Sequence, residues 1–314
     1  MIPQVESQVE SQVESFDDLC LWMYCIVEDT YRQIRHLFPR PGPASRCSDQ
    51  ELMTMCLVGE CKGWDTELTL LAEWSHHRDL FPHIPSQSRF NRRRRQLMHA
   101  FNLVRQVVLR VLDVAADGQC CIDSLPVPVV QFHLAPQASR DWTANGATFG
   151  RVCSKKQIFF GYKMQLLVTL GGVILDFELV PANVTDLQGG YDLLEEHTDL
   201  VAVADKGYIS KAMADALLQG NRICLMTVPR SNQKRQLPPT VAECIARVRQ
   251  IIETVNGQLA EQFKVQTNHA HTFWGLCTRL YTKLTAHTLC IYINRLLGKA
   301  DFLHIKELAF PHLA

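Results

Sequence analysis

No apolar run in the 314-residue chain approaches the ~18 residues that a membrane-spanning helix needs. The chain does not open on a basic and then apolar leader; its first residues are polar and acidic, so secretion is not expected. Twelve cysteines are present, yet no two are spaced C-x-x-C. That argues against a zinc site and for reduced, core-filling thiols in a cytoplasmic protein. Neither G-x-G-x-x-G nor G-x-x-x-x-G-K-[ST] occurs, so the common nucleotide-phosphate loops are missing. No G-x-S-x-G elbow occurs either, which removes that route to a serine hydrolase. Net charge is lacking too, with 32 basic and 32 acidic residues. Two long stretches, however, lack acid altogether. One runs from Asp79 to Asp113 and holds Arg89, Arg92, Arg93, Arg94, Arg95, Arg105 and Arg110. The other runs from Glu261 to Asp301 and holds Lys264, Arg279, Lys283, Arg295 and Lys299. Basic blocks in a neutral chain fit selected surfaces facing nucleic acid; they also fit ordinary solvated helix faces.

The composition is that of a globular protein, with 47% hydrophobic and 20% charged residues. The length suits one large or two ordinary domains, at roughly 150 residues each. Residues 4 to 15 repeat QVES three times. Three valines make a thin stripe, so 1–15 is expected to be a disordered tail. Helical spacing then dominates residues 16–117. Leu19, Trp22, Met23, Ile26, Val27, Tyr31, Ile34 and Leu37 mark the first helix, and Ser48 with Glu51 forms a capping box for the second. Thr66 can cap a third, and Ser86 or Ser88 a fourth that carries SRFNRRRRQL. Arginines at i, i+3, i+4 and i+6 share a broad helix face able to meet DNA phosphates bidentately. The other reading is a basic helix packed on acidic neighbours.

At Gly118 the pattern changes. Residues 119–125 read as a buried strand, and Pro126 and Pro128 exclude a helix after it. Residues 133–157 read as a polar, basic connection with Arg140, Arg151, Lys155 and Lys156. Ile158–Leu170 and Val173–Val180 read as a hairpin turning at Gly171-Gly172. A helix after PANVTD, a strand at Leu200–Ala204, a helix, a strand at Ile223–Val228 and two long helices complete the order. Strands joined by a hairpin, followed by strand–helix–strand, imply an α/β fold: a mixed sheet flanked by helices. Trp274, Leu276, Leu280, Leu284 and Ile291 read as core or as a dimer contact.

Asp123 and Asp205 each end a short apolar strand. A lone Asp in such a place commonly caps a turn. Two in matching settings, with Glu253 on a helix beside the core-facing Ile251, Ile252 and Val255, suggest converging carboxylates. Such acids repel one another unless a cation joins them, and oxygen-only ligands suit Mg²⁺ or Mn²⁺. Arg249, one turn before Glu253, can clamp a phosphate or pair with Glu253 itself. Lys163 and Lys206 are further phosphate candidates.

The IDSLP, ADKGY and R-x-x-x-E patterns, which place Asp123, Asp205 and Glu253 82 and 48 residues apart, resemble those of the DDE transposases of bacterial insertion sequences. KKQIFFGYK, PANVTD and IIETVNGQLAEQF strengthen the likeness, which covers roughly residues 119–297. The resemblance implies an RNase H-like catalytic domain at 118–300, an all-helical DNA-binding domain at 16–117 before it, and a tail at 301–314. It implies Asp123, Asp205 and Glu253 as catalytic residues and ligands of two Mg²⁺ or Mn²⁺ ions, about 3.5–4 Å apart. Double-stranded DNA would be the partner, as terminal inverted repeats and target. The DNA contacts would come from Arg89, Arg92, Arg93, Arg94, Arg95, Lys155, Lys156, Lys163, Lys206 and Arg249. A homodimer on the nucleoid, without membrane contact, is the implied working form. Some members carry a Tyr three residues before the Arg and a base seven after the Glu; here Ala246 and Ala260 stand there. A silent or domesticated DNA-binding copy and a plain metal-dependent nuclease of the same fold are the competing classes.

Overall fold

Register fixes what this fold does with its acids, and the register starts in one long central strand. The computed structural model describes residues 13–40, 42–152, 157–229 and 237–311. Residues 1–12 of the expected tail, Lys155 and Lys156 lie outside them. Strand β1 (Gln119–Val130) pairs antiparallel with β3 (Gln157–Thr169) over most of its length. On its other side β1 pairs in parallel with β5 (Val201–Ala204), but only through Gln119–Ile122, and β5 pairs in parallel with β6 (Cys224–Thr227). The far edge of β3 is shared end to end. β2 (Thr148–Val152) takes its first half and β4 (Ile174–Pro181) its second. The result is the expected mixed sheet, with six strands where five were expected.

Two details differ from expectation. β1 runs five residues beyond Leu125, through both prolines. Pro126 and Pro128 have the same parity, so both missing N–H groups point away from β3, where β5 has already ended. The Pro128 carbonyl on that open side accepts from Asn268 Nδ2 at 2.8 Å. Inside the expected connection, β2 forms where Gly150 lets Ala182 approach; a Cβ there would stand 2.5 Å from the Ala182 carbonyl oxygen.

Helices cover both faces. β1 alternates, so Cys121 and Leu125 face one core while Cys120 and Ile122 face another. The second core is closed by α7 (Asp186–Glu195) and α8 (Lys211–Asn221). The first is closed by α9 (Pro239–Glu261) and α10 (Phe273–Leu296). Of the residues expected as core on α10, Leu276, Leu280, Leu284 and Ile291 are buried, whereas Trp274 is 54% exposed.

The N-terminal helices are α1 (Phe16–Ile34), α2 (Asp49–Cys61), α3 (Glu67–Trp74), α4 (Gln87–Gln96) and α5 (Met98–Val111). Ser15 and Ser48 both form capping boxes, with Asp18 and Glu51. These helices do not end in a core of their own. Leu19, Leu57 and Phe101 belong to one apolar cluster with Leu166, Val255 and Leu284. α6 (Arg140–Ala144) lies between β1 and β2. Near the end, α11 (Ile305–Ala309) buries Ile305, Leu308 and Ala309, and Lys62 Nζ donates to the Ala309 carbonyl at 2.8 Å. This part of the expected tail is thus packed structure. Among the described residues no helix is long and apolar enough to cross a membrane.

Candidate active site at the strand ends

Ile122 pairs with Ala204, so the next residues, Asp123 and Asp205, leave two neighbouring parallel strands at the same level. α9 packs on that side of β1, with the Cys121 thiol donating to the Val248 carbonyl at 3.1 Å. Its inward stripe is Ile245, Ile252, Val255 and Leu259. Arg249, Glu253 and Asn256 are spaced four and three apart, so they form a second stripe beside it. Asn256 Nδ2 donates to Asp123 Oδ2 at 2.9 Å, and the Ser124 N–H donates to Asp123 Oδ1 at 2.8 Å. Arg249 spans the other two acids, 3.8 Å from Asp205 and 3.2 Å from Glu253.

The electrostatics follow from this crowding. Burial pushes the Asp123 carboxyl up to about 6, and Asp186 and Asp205 add to the push; the Ser124 N–H and Arg249 oppose it. Asp186 is a fourth acid nearby. It accepts from Ser124 Oγ at 2.8 Å and from Lys163 Nζ at 2.9 Å. Tyr208, after Asp205, is buried and donates to Gln165 Oε1 at 2.9 Å. Burial raises its phenol well above the ordinary value, and the acids reinforce this.

The convergence expected from sequence is met by two acids rather than three. Among the described residues no group of three His, Cys, Asp or Glu stands ready to hold one ion. The reason is local. Arg249 holds Glu253 on its own helix, and Glu253 remains 59% exposed. The donors nevertheless fit a hard divalent cation. They are carboxylate oxygens, one with raised proton affinity, and a guanidinium already stands as counter-charge between two of them. The buried Asn256 Oδ1 beside them has no partner.

A family model described as Transposase DDE domain matches residues 115–272, half of the chain. The chain belongs to the DDE transposase family. No curated protein and no solved structure matches it. The matched residues contain Asp123, Asp205 and Glu253, all six strands of the sheet, and α9.

The expected DNA contacts of this DDE protein divide sharply. Arg89, Arg92 and Arg95 are exposed on α4. Arg93 and Arg94 turn inward, which corrects the expectation that both face DNA. Phe90, Arg93, Arg94 and Leu97 form the buried i, i+3, i+4, i+7 stripe. Arg93 makes a two-pronged pair with Asp49, at 2.8 and 2.6 Å. Arg94 pairs with the buried Glu60 at 2.8 Å, and Lys283 pairs with the other Glu60 oxygen at 2.5 Å. The acidic neighbours come from α2, far away in sequence. Phe90 and Leu97, seven residues apart, were the available signal that positions 93 and 94 face inward. Lys163 is held by Asp186 and the Val184 carbonyl, so its first role is to fix the start of α7. Lys206 is exposed beside Asp205. Asn256 was missed, although it sits three residues after Glu253 on the same helical face.

Proposed function

We propose that this transposase cuts DNA at the ends of a mobile element and joins those ends to a target. Asp123, Asp205 and Glu253 are its catalytic acids. The observation that carries the reading is the Ile122–Ala204 pairing, which sets two acids abreast under the helix bearing the third. Asp123 and Asp205 would hold divalent Mg²⁺ or Mn²⁺, with Glu253 joining once released from Arg249. Bound metal supplies Lewis-acid polarisation of the scissile phosphate and lowers the pKa of the attacking water or 3′-hydroxyl.

The chain's own residues prepare this site. Asn256 and the Ser124 N–H fix the rotamer of Asp123, and the remaining lone pairs of its two oxygens would hold the cation. Arg249 is a replaceable counter-ion. Its pairing with Glu253 is a partly exposed i,i+4 contact, worth only about 0.3–0.5 kcal/mol. A phosphodiester entering the site offers the guanidinium a stronger, bidentate partner. Lys206 lies beside Asp205, where it can neutralise a neighbouring phosphate. Arg89, Arg92 and Arg95 bind backbone phosphates away from the acids. Terminal inverted repeats are the DNA partner, and a homodimer handles two ends together.

The test is to incubate purified protein with labelled terminal DNA, target plasmid and Mg²⁺. Joined product is expected. Nicking without joining would indicate a nuclease, and binding without cleavage would indicate a silent DNA-binding copy; either result rejects the transposase activity.

A further inference from the structure

A second charged site lies away from the acids, between α3, α4 and the start of α10. It is a cavity of about 500 Å³ lined in part by Gln87, Arg94, Arg95, His271, Thr272 and Arg279. Its charge is unbalanced. Glu60 is buried and receives both Arg94 and Lys283. Arg279 spends its Nη1 on the Asp65 carbonyl at 2.8 Å, a neutral acceptor. Glu67 is the carboxylate at the cavity wall, and it accepts from Asn91 Nδ2 at 2.8 Å. At the cavity wall three guanidinium groups, Arg94, Arg95 and Arg279, therefore meet one carboxylate, Glu67. Burial lowers the proton affinity of both Arg279 and Lys283; Arg94 adds to this and Glu60 opposes it. The Nε–H of Arg94 is buried at this cavity without an acceptor. An unmatched buried donor beside surplus positive charge is costly unless an anion completes it. At the N-terminus of α10, Asp141 already accepts from the Phe273 N–H at 2.6 Å.

We propose that this cavity binds a backbone phosphate of DNA. The proposal rests on the transposase reading and adds an anchor to it. The surroundings favour DNA over a small free anion. Arg95 also lines two adjoining hollows, one with Gln87, Ser88 and Arg92, the other with Arg92, Met98 and the exposed Trp274. Three adjoining hollows that share Arg95, with spaced guanidinium groups and one indole, suit a polymer of phosphates and bases. The cavity is also tied to the acids. Asn268, next to the cavity-lining His269, bonds the Pro128 carbonyl of β1. Pro128 is five residues beyond Asp123, about 17 Å along an extended strand. A phosphate anchored there would set how far the duplex reaches towards Asp123.

The experiment measures duplex binding by fluorescence anisotropy across a salt series, for the full chain and for Arg279→Gln and Arg95→Gln. Thermal melts check that each variant is folded, and Arg95 is exposed, so its variant tests the cavity even if Arg279→Gln melts early. Each folded variant is expected to reduce the slope of log K against log salt by about 1, equally for unrelated sequences. A second arm titrates inorganic phosphate alone and follows the melting temperature. If phosphate stabilises the wild type but both variants keep the wild-type DNA slope, the cavity serves free phosphate and the proposal fails. Unchanged slopes with no phosphate effect also overturn it. In either case a wild type that still binds and joins DNA leaves the transposase reading standing; a wild type that binds no duplex removes that reading first.

Discussion

Replacing Asp123 by Asn should make the protein more stable at neutral pH, although it removes the central catalytic acid. Burial and the nearby Asp186 and Asp205 raise its carboxyl from 3.8 to about 6. At about 1.36 kcal/mol for each tenfold change in proton affinity, the charged form costs the fold about 3 kcal/mol at most. The sign follows from linkage. A carboxyl with a raised folded pKa binds its proton more tightly in the native state than in the unfolded chain. Its contribution is therefore neutral below about pH 4, becomes unfavourable as pH rises to about 6, and is constant above. An amide at position 123 is always uncharged; its oxygen can accept from the Ser124 N–H, and its NH2 can donate to the unpartnered Asn256 Oδ1 once that amide flips. Urea unfolding at pH 4.5 and pH 7.5, without divalent ions, tests this. The midpoint of the variant should exceed that of the wild type at pH 7.5, and the gap should shrink at pH 4.5. Added Mg²⁺ should stabilise the wild type more than the variant. A wild type as stable as the variant at pH 7.5, or a gap that grows on acidification, would refute the electrostatic account of this site.

Glu60→Gln leaves Arg94 and Lys283 buried without their anion and should cost about 3–5 kcal/mol, read as a lower urea midpoint; a change under about 1 kcal/mol would mean that the network is already hydrated. Arg249→Gln frees Asp205 and Glu253 of their counter-charge. Manganese binding followed by electron paramagnetic resonance should tighten, while strand joining falls; weaker manganese binding would show that the guanidinium does not compete with the ion. In strand β3, Gly161 has φ +151°, and a Cβ there would run into the Val127 carbonyl. Gly161→Ala should therefore lower the melting temperature by several degrees and reduce activity only in proportion to the unfolded fraction, as a melt and an activity assay at 20 °C would show.

Much of the architecture was legible because it is local. The capping box at Ser48, the cap at Thr66 and the Gly171-Gly172 hairpin are contacts within a few residues. The two acids were legible because an Asp at the end of an apolar strand breaks the pattern of its segment. What stayed hidden depends on partners distant along the chain. Arg93 and Arg94 looked like surface charge because their partners, Asp49 and Glu60, lie 44 and 34 residues away in sequence. β2 carries little apolar signal of its own, since its pairing depends on the backbone of β3. The shared core of the helical region and the sheet is set by α10, which no periodicity could assign to one side or the other. Asn256 needed the register of α9 on β1 before its amide could be placed on Asp123.

The central claim is that one catalytic centre is built from Asp123, Asp205 and Glu253. Cleavage of end-containing DNA in Mg²⁺, compared among the wild type and the Asp123→Asn, Asp205→Asn and Glu253→Gln variants, tests it most directly. The account predicts that each single variant binds the DNA, remains folded and loses cleavage by at least about a hundredfold, a loss of about 2.7 kcal/mol or more in transition-state stabilisation. A folded variant at any of the three positions that cuts at the wild-type rate would contradict it.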